Sequence, residues 1–443
     1  MRRLRNHVLL STVLFATLFG SAARAQAPVT PSQPLSLTLE DAVARGLREN
    51  VNARLQQADV ISARGERWTA LRDLLPTASA RLTLTRQEIN LAAFGFSVPG
   101  FPNIVGPFNL HDSRLTVSQP LVDLHALYAS RSGAATLQAA ELTERDTREL
   151  VGLAVRDLYL QAVAAESRLK ATRAQSDTAR ALLTQATDLK NAGLVAGIDV
   201  LRAQVQVRTQ EQRAISAANE FEKLKLQLAR AIGLPLGQDF VLADAMPYAP
   251  LQTMALEEAL NQAFASRQDY RAAEVRLQAA HASKRAALAD NLPSLHLNAD
   301  YGVIGRTPAD THSTYAVMTQ LRIPLFDAAT TRGHVLEAEA LVQRRTAELN
   351  DFRARVEYEV RAAFLDLRAA DEQLQAAQDA MNLATQELEQ TRDRFAAGVA
   401  GNIEVVQAQE TVATATENYI SSLYAHNVAK ASLAHAIGAV TAP

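Results

Sequence analysis

Apolar positions along this chain recur with two periods, and the period changes at prolines. From about Thr38 to Leu74 they return every three or four residues, the spacing of one helix face. Thr38, with Asp41 three positions on, is a capping-box variant in which Asp replaces Glu. Pro76 ends this run, because proline has no amide hydrogen for a helix interior. Beyond it the period falls to two: Leu82 and Leu84 alternate with Arg81, Thr83 and Thr85, and later Leu115 and Val117 alternate with Arg114, Thr116 and Ser118. Strand, loop and strand make a hairpin. Pro120 stands where strand hands over to helix, and no proline follows until Pro235. Leu124 to Ala192 then reads as one helix of roughly 69 residues, ~100 Å at 1.5 Å per residue. Gly133 and Gly152 within it allow a local bend. Val155, Leu158, Ala162, Ala165, Leu169, Ala179, Leu183 and Ala186 keep the 3/4 spacing of coiled-coil packing, with small Ala knobs for close approach.

The whole pattern then repeats. LEDAV from Leu39 returns as LEEAL from Leu256, and LPTASARL from Leu75 returns as LPSLHLNA from Leu292, both at an offset of 217. QPLVD, ending at Asp123, returns as IPLFD, ending at Asp327, at an offset of 204. AIG at Ala231 returns at Ala436, an offset of 205. The drop in offset places about 13 extra residues in the first hairpin, whose loop INLAAFGFSVPGFPNIVGPFNLHD sets Phe94, Phe96, Phe101 and Phe108 among Gly and Pro. Such a loop reads as a folded cap or a membrane-surface segment. In the second copy Pro293 stops the helix. Leu295, Leu297, Ala299, Tyr301 and Val303 then alternate with His296, Asn298, Asp300 and Gly302. Tyr315, Val317, Leu321 and Ile323 alternate with Thr314, Gln320 and Arg322, and Pro324 hands over to a helix spanning 328–397 that contains Gly333.

Each long helix is broken once by glycine, in NAGLVAGIDVLRAQ from Asn191 and AAGVAGNIEVVQAQ from Ala396. Gly193 and Gly398 are placed to end an outgoing helix in the left-handed conformation. Ile198 and Ile403 restart a helix running back for about 35 residues. Asn402 is positioned to cap the second restart, and Asp199 and Glu404 lie in first turns, where the helix dipole favours an acid. Each break is therefore the tip of a long αα-hairpin. The predicted fold is mainly α with transmembrane β, built from tandem-duplicated long αα-hairpins plus two β-hairpins per chain. The first repeat covers 26–250: a helix, a β-hairpin over about 77–121, a helical hairpin over about 124–232 and a linker. The second covers 251–443: a helix, a β-hairpin over about 294–325 and a helical hairpin over about 328–437.

Composition sharpens this picture. A basic start, MRRLRN, followed by HVLLSTVLFATLFGS and the small-residue site AARA, reads as an export signal over 1–25. The run is short of the roughly 20 apolar residues of a spanning helix, against a retained anchor. Its removal takes away Arg2, Arg3, Arg5 and Arg24 and moves the formal charge from −2 to −6, against nucleic acid as a partner. The chain has 0 Cys, which excludes a disulfide framework, a thiolate metal site and a lipid-bearing Cys. A charged fraction of 21% excludes a helical membrane bundle, so the route into a membrane is a β-barrel. Strands with one apolar and one polar face suit a barrel with lipid outside and water inside. An antiparallel sheet with one solvated face gives the same alternation. Export without a lipid anchor and strands of about 10 residues favour the barrel.

Catalysis finds little footing. The 9 histidines are scattered, with no H-E-x-x-H and no phosphate-binding glycine loop. Ser97 in GFSVPG lacks the G-x-S-x-G spacing. His296 and His312 have an approach across the second hairpin open to them, with lumen-facing polarity as the ordinary explanation. No enzyme activity, cofactor or metal is expected.

LTLEDAVARGLREN, LLPTASARLTLT, SQPLVD, AGLVAGIDVLRAQ and RAIGLPLG, together with their second copies, resemble the TolC-like outer-membrane efflux proteins. The resemblance covers nearly all of the chain beyond the export signal. It implies a homotrimer whose chains each give four strands to one β-barrel in outer-membrane lipid, continued by an α-helical barrel across the periplasm. It also implies an equatorial belt that includes 39–50, 233–250 and 256–268. The tips, Ala192, Gly193, Leu194 and Val195 with Ala397, Gly398 and Val399, would meet a periplasmic adaptor serving an inner-membrane pump of RND, ABC or MFS type. Such a chain would be the exit duct of an efflux or type I secretion system, gated at its tips. The family's tip often carries two acids one helical turn apart; here the first position is Glu404 but the second is the neutral Gln407, which leaves one carboxylate per chain instead of two. Asp199 is the acid of the other tip. The competing readings are a periplasmic adaptor, which would carry one hairpin flanked by lipoyl-like and β-barrel segments, and a soluble coiled-coil scaffold.

Overall fold

The computed structural model describes residues 35–95, 99–100, 102–246, 248, 254–325 and 328–439; the predicted export signal and Ser97 lie outside them. Strand β1 (Leu35–Leu37) leads into α1 (Leu39–Glu49). Thr38 Oγ1 accepts the Asp41 amide at 3.1 Å and caps α1. The periodicity predicts one helix to Leu74, but the chain breaks at Asn50, where ψ is 133°, before α2 (Val51–Arg72). Tertiary bonding overrides helix propensity here. Asn50 Oδ1 accepts the Asn52 amide at 2.9 Å, while its Nδ2 reaches across the fold to the Ala231 carbonyl at 3.2 Å.

Pro76 directly precedes β2 (Thr77–Asn90), which turns back through a short 3₁₀ segment into β3 (Ile104–Val122). Next come α3 (Leu124–Asn191), α4 (Gly197–Ala231) and the short β4 (Phe240–Leu242). The second half gives α5 (Leu256–Ser266), α6 (Gln268–Ala289), β5 (Ser294–Gly305) and β6 (Thr311–Arg322). It closes with α7 (Ala328–Ala396) and α8 (Asn402–Ala436). Both long helices run without interruption, so Gly133, Gly152 and Gly333 break neither. Pro120 lies inside β3, two residues short of its end, beside a register shift between Pro120 and Val122. A bulge of this kind absorbs the missing ladder donor. The helical hand-over falls instead at Asp123, whose carboxylate accepts the Ala126 amide at 2.8 Å. Pro324 lies between β6 and α7.

The four long strands form one antiparallel sheet in the order β2-β3-β5-β6. Its register puts Arg81, Arg114, Gly302 and Thr314 in one row, and Ser79, Thr116, Asp300 and Ala316 in a neighbouring row on the same face. Leu82, Leu84, Leu115, Val117, Tyr301, Tyr315 and Val317 belong to the opposite, apolar face. On the polar face Arg114 bonds Asp300, approaches Asp112 at 3.4 Å and reaches Thr314 at 3.3 Å, joining three strands. His296 pairs with Gln320 and His312 with Ile304, so the two histidines stand eight positions apart along the ladder, roughly 26 Å. They do not approach one another.

The helices lie side by side: α2, α3, α6 and α7 near the sheet, and α4, α3, α8 and α7 towards the tips. Midway, β1 pairs in parallel with β4, and Leu37, Val155, Tyr159, Leu228, Ile232 and Phe240 form the largest buried cluster. Full burial of a side chain such as Leu228 contributes about 1.5–3 kcal/mol. Gly46 lets α1 sit directly on α3, since a Cβ there would meet Val155 Cγ2 at 2.7 Å. Among the described residues no helix is long and apolar enough to cross a membrane.

Candidate functional site

The two helical tips turn through the same bonds. After α3, Gly193 takes φ +75°, its N–H donates to the Lys190 carbonyl at 2.9 Å, and the Leu194 N–H donates to Leu189 at 2.9 Å. After α7, Gly398 takes φ +73°, donating to Phe395 at 3.0 Å, while Val399 donates to Arg394 at 2.9 Å. These paired bonds are a Schellman ending, which needs a residue at home in the left-handed region. The same pair ends α4 at Gly233 and α8 at Gly438, so the repeated AIG motif is also a helix stop. Leu194 and Val399 project from the turns, 72% and 71% exposed.

Sequence reasoning places Asn402 as a cap; the structure gives it another task. Gly401 occupies the cap position of α8, and Asn402 is the first helical residue, only 3% exposed. Its Nδ2 donates to the Asp199 carbonyl at 2.8 Å, tying the base of α8 to that of α4 across 203 positions. The Asp199 carboxylate stands 3.5 Å from Arg202. Glu404 accepts the Gly401 amide at 3.5 Å and faces Arg394 at 3.6 Å. Loose, solvent-exposed pairs of this kind contribute at most about 1 kcal/mol. Gln407 is exposed and makes no side-chain hydrogen bond among the described residues. Beneath the tips Leu182, Leu388, Phe395, Val405 and Ala408 pack α3, α7 and α8 together.

Sequence reasoning missed a polar ladder along α8. Glu410, Glu417 and Tyr424 recur every seven residues on one stripe facing the other hairpin. Glu410 takes Arg213 at 2.8 Å, Gln206 at 2.8 Å and Gln210 at 3.2 Å, all from α4. Glu417 takes Arg168 of α3 at 2.7 Å. The Tyr424 hydroxyl donates to Asp157 of α3 at 2.6 Å and accepts from Gln161 at 3.1 Å. One signal was available: 205 positions earlier, α4 carries Val205, Gln212 and Asn219, so the copies diverge where the hairpins meet.

A second polar cluster occupies the middle of the molecule. Arg267, 4% exposed, sits at the break between α5 and α6 that corresponds to Asn50. It donates to Asp269 at 2.6 Å, to Glu359 at 2.5 Å and to the Ala436 carbonyl at 3.5 Å. Asp146 and Glu149 of α3 face this group. Burial, reinforced by the negative Asp269, pushes the Asp146 carboxyl up to about 6. Burial, reinforced by Asp146, pushes Glu149 up to about 7. Carboxyls held above their unfolded values bind more protons when folded, so stability falls as pH rises from about 4 to about 7 and stays reduced above that. Asp146→Asn combined with Glu149→Gln should therefore stabilise the chain at pH 8 by about 1 kcal/mol, a value discounted for the water that still reaches both groups. At pH 4.5 the gain should all but vanish. Denaturant unfolding followed by the helical circular-dichroism signal at the two pH values checks this.

Comparison with known proteins agrees with the doubled architecture. The profile of the outer membrane efflux protein family matches residues 47–234 and 259–439. Protein CyaE of Bordetella pertussis is 28% identical over 324 residues, covering 70% of this chain and 67% of that protein. Outer membrane protein TolC of Vibrio cholerae is 23% identical over 414 residues, covering 91% and 93%. The solved outer-membrane channel OprN shares the fold at a TM-score of 0.77 and 20% identity, over 90% of this chain and 89% of that one. Matched in both halves by one profile, with the fold of a solved outer-membrane channel, the chain belongs to the outer membrane efflux protein family.

Proposed function

We propose that the chain is one of three subunits of a passive exit duct, which crosses the outer membrane as a β-barrel and is gated at its periplasmic tips. The observation that carries the reading is a pair of complementary open edges. Within the chain α8 packs on α3; the duplication relates this contact to one of α4 on α7, yet among the described residues no comparable packing joins α4 to α7. Instead α4 exposes Ile198, Leu201, Val205, Ile215 and Leu226, and α7 exposes Leu336, Tyr358, Leu365 and Leu383. The sheet repeats this arrangement, with β3 joined to β5 inside the chain and the outer edges of β2 and β6 unpaired among the described residues. Two unlike complementary edges assemble head to tail, and a ring satisfies both. Three copies of a four-stranded sheet give about twelve strands, inside the range of known outer-membrane barrels. The apolar face of the sheet would meet lipid, and the face of Arg81, Arg114 and Asp300 would line a wet lumen.

At the other end, exposed Leu194 and Val399, with half-buried Val195 beside them, suit docking by a periplasmic adaptor that belongs to an inner-membrane pump. Opening would move one hairpin against the other, exchanging the α8 ladder for contacts to the docked partner. A partner shifts this balance only as far as it binds the open arrangement better. The adaptor reading of the chain itself has no support in a fold with two helical hairpins and one four-stranded sheet. Cargo choice falls to the pump.

Purified from membranes in detergent, the processed chain should have the mass of three copies, and in planar bilayers it should form channels that are mostly closed. A detergent-independent monomer without conductance would overturn the proposal. Glu404→Ala should alter the conductance, or its block by multivalent cations, by several-fold. Unchanged currents would remove Glu404 from the gate.

A further inference from the structure

A cavity of about 320 Å³ lies where α3 meets α6, roughly midway between the sheet and the central belt. Small residues form its floor, and α2 and α7 close over it from either side, through Gln56 and Arg345. Its α3 lining includes Ala140, which packs on α2, and Ala139, which packs on α6. No carboxylate lines it. Arg276 enters from α6, and its guanidinium is held by a neutral partner, the Thr143 hydroxyl at 2.7 Å. Arg345 enters from α7, 29% exposed, with its Nη1 on Glu348 at 2.6 Å, outside the lining. Burial, then the nearby positive Arg345, lower the Arg276 pKa from its ordinary value against the weaker opposing pull of Glu348 and Asp146. Gln56 and Ser283 also line the cavity, and their side chains hold no hydrogen bond among the described residues.

We propose that this cavity is an oxyanion subsite in the wall of the duct, taking the phosphate or carboxylate of a passing solute between the Arg276 and Arg345 guanidiniums. A half-buried arginine with no carboxylate in hydrogen-bond contact is costly, and nearby Glu348 and Asp146 offset only part of that cost; a planar donor fork matches an oxyanion in pairs of bonds. Ser283, two turns along the same face of α6, and the Gln56 amide supply two further donors. The site is not a by-product of the repeat. At the offsets of 217 and 204, the first copy carries Asp59 and Glu141 in place of Arg276 and Arg345. Basic and acidic positions therefore alternate around the layer. The siting on the lumen side rests on the duct reading; the binding chemistry does not.

The test uses the assembled full chain in a phosphorus-free detergent, with inorganic phosphate as probe and ³¹P line broadening as readout. Broadening should saturate in the millimolar range, fall at least five-fold in Arg276→Gln and Arg345→Gln, and be largely kept in Arg276→Lys. Arg213→Gln, which removes an arginine already held by Glu410, should leave it unchanged. Circular-dichroism melting identifies any variant that fails to fold, and Arg276→Lys then carries the comparison. Broadening that is absent, or equal in all variants, overturns the site while leaving the duct intact. Loss of conductance would sink the duct reading without moving the phosphate signal.

Discussion

Gly398→Pro should abolish export by cells that depend on this chain, while leaving assembled rings in the outer membrane. Proline fixes φ near −65°, whereas Gly398 sits at +73°. It also deletes the N–H that donates to Phe395 at 3.0 Å, so the turn cannot form as built. The backbone is the whole cause, because a Cβ at this position would meet nothing within 4 Å. For that reason Gly398→Ala, which costs about 1–2 kcal/mol of left-handed strain, should keep most of the export. Damage at the tip lies ~100 Å of helix from the sheet, too far to disturb strand pairing. Export and ring content, measured together in the same cells, check the prediction; wild-type export by Gly398→Pro would remove this tip from the docking and gating machinery.

Arg267→Ala should cost far more in stability, about 3–5 kcal/mol, with ring yield falling accordingly. The loss is not that of one ion pair. Arg267 is the buried cation among Asp269, Glu359, Asp146 and Glu149, and it also bonds the carbonyl that ends α8. Removing it strands several acids in a half-dry space and leaves their mutual repulsion answered only weakly, by Arg276 near Asp146. Arg267→Lys keeps the charge but not the fork that reaches Asp269 and Glu359 together, so it should recover only part. Denaturant unfolding at pH 8 and pH 5 separates these effects, because protonating Asp146 and Glu149 at the lower pH should soften the alanine phenotype. An alanine variant as stable as the wild type at pH 8 would show that the cluster is solvated.

The elements were legible where the local chain dictates them. Pro76 and Pro293 stop helices, period-two runs mark all four long strands, and Gly193 and Gly398 turn the tips. The duplication made each reading twice. What escaped was set by partners hundreds of positions away. Nothing in RENVN announces that Asn50 breaks a helix to reach Ala231, and Arg267 does the same service in the second copy with different chemistry. Asn402 looked like a cap because Asn favours that place, but a buried carbonyl of the other hairpin claimed its amide. Glu410 and its ladder carry no periodic mark beyond the stripe itself, and only divergence between the copies at Val205, Gln212 and Asn219 hinted at them.

The unpaired outer edges of β2 and β6 have a genetic corollary. In the proposed ring a subunit would finish its neighbour's wall, so quality control would fall on the group and not on the individual. A variant sound in its sheet but faulty at its tip would be accepted into mixed company and spoil it. Expressed beside the normal gene, such an allele should behave as dominant, whereas one that never enters the sheet should be silent.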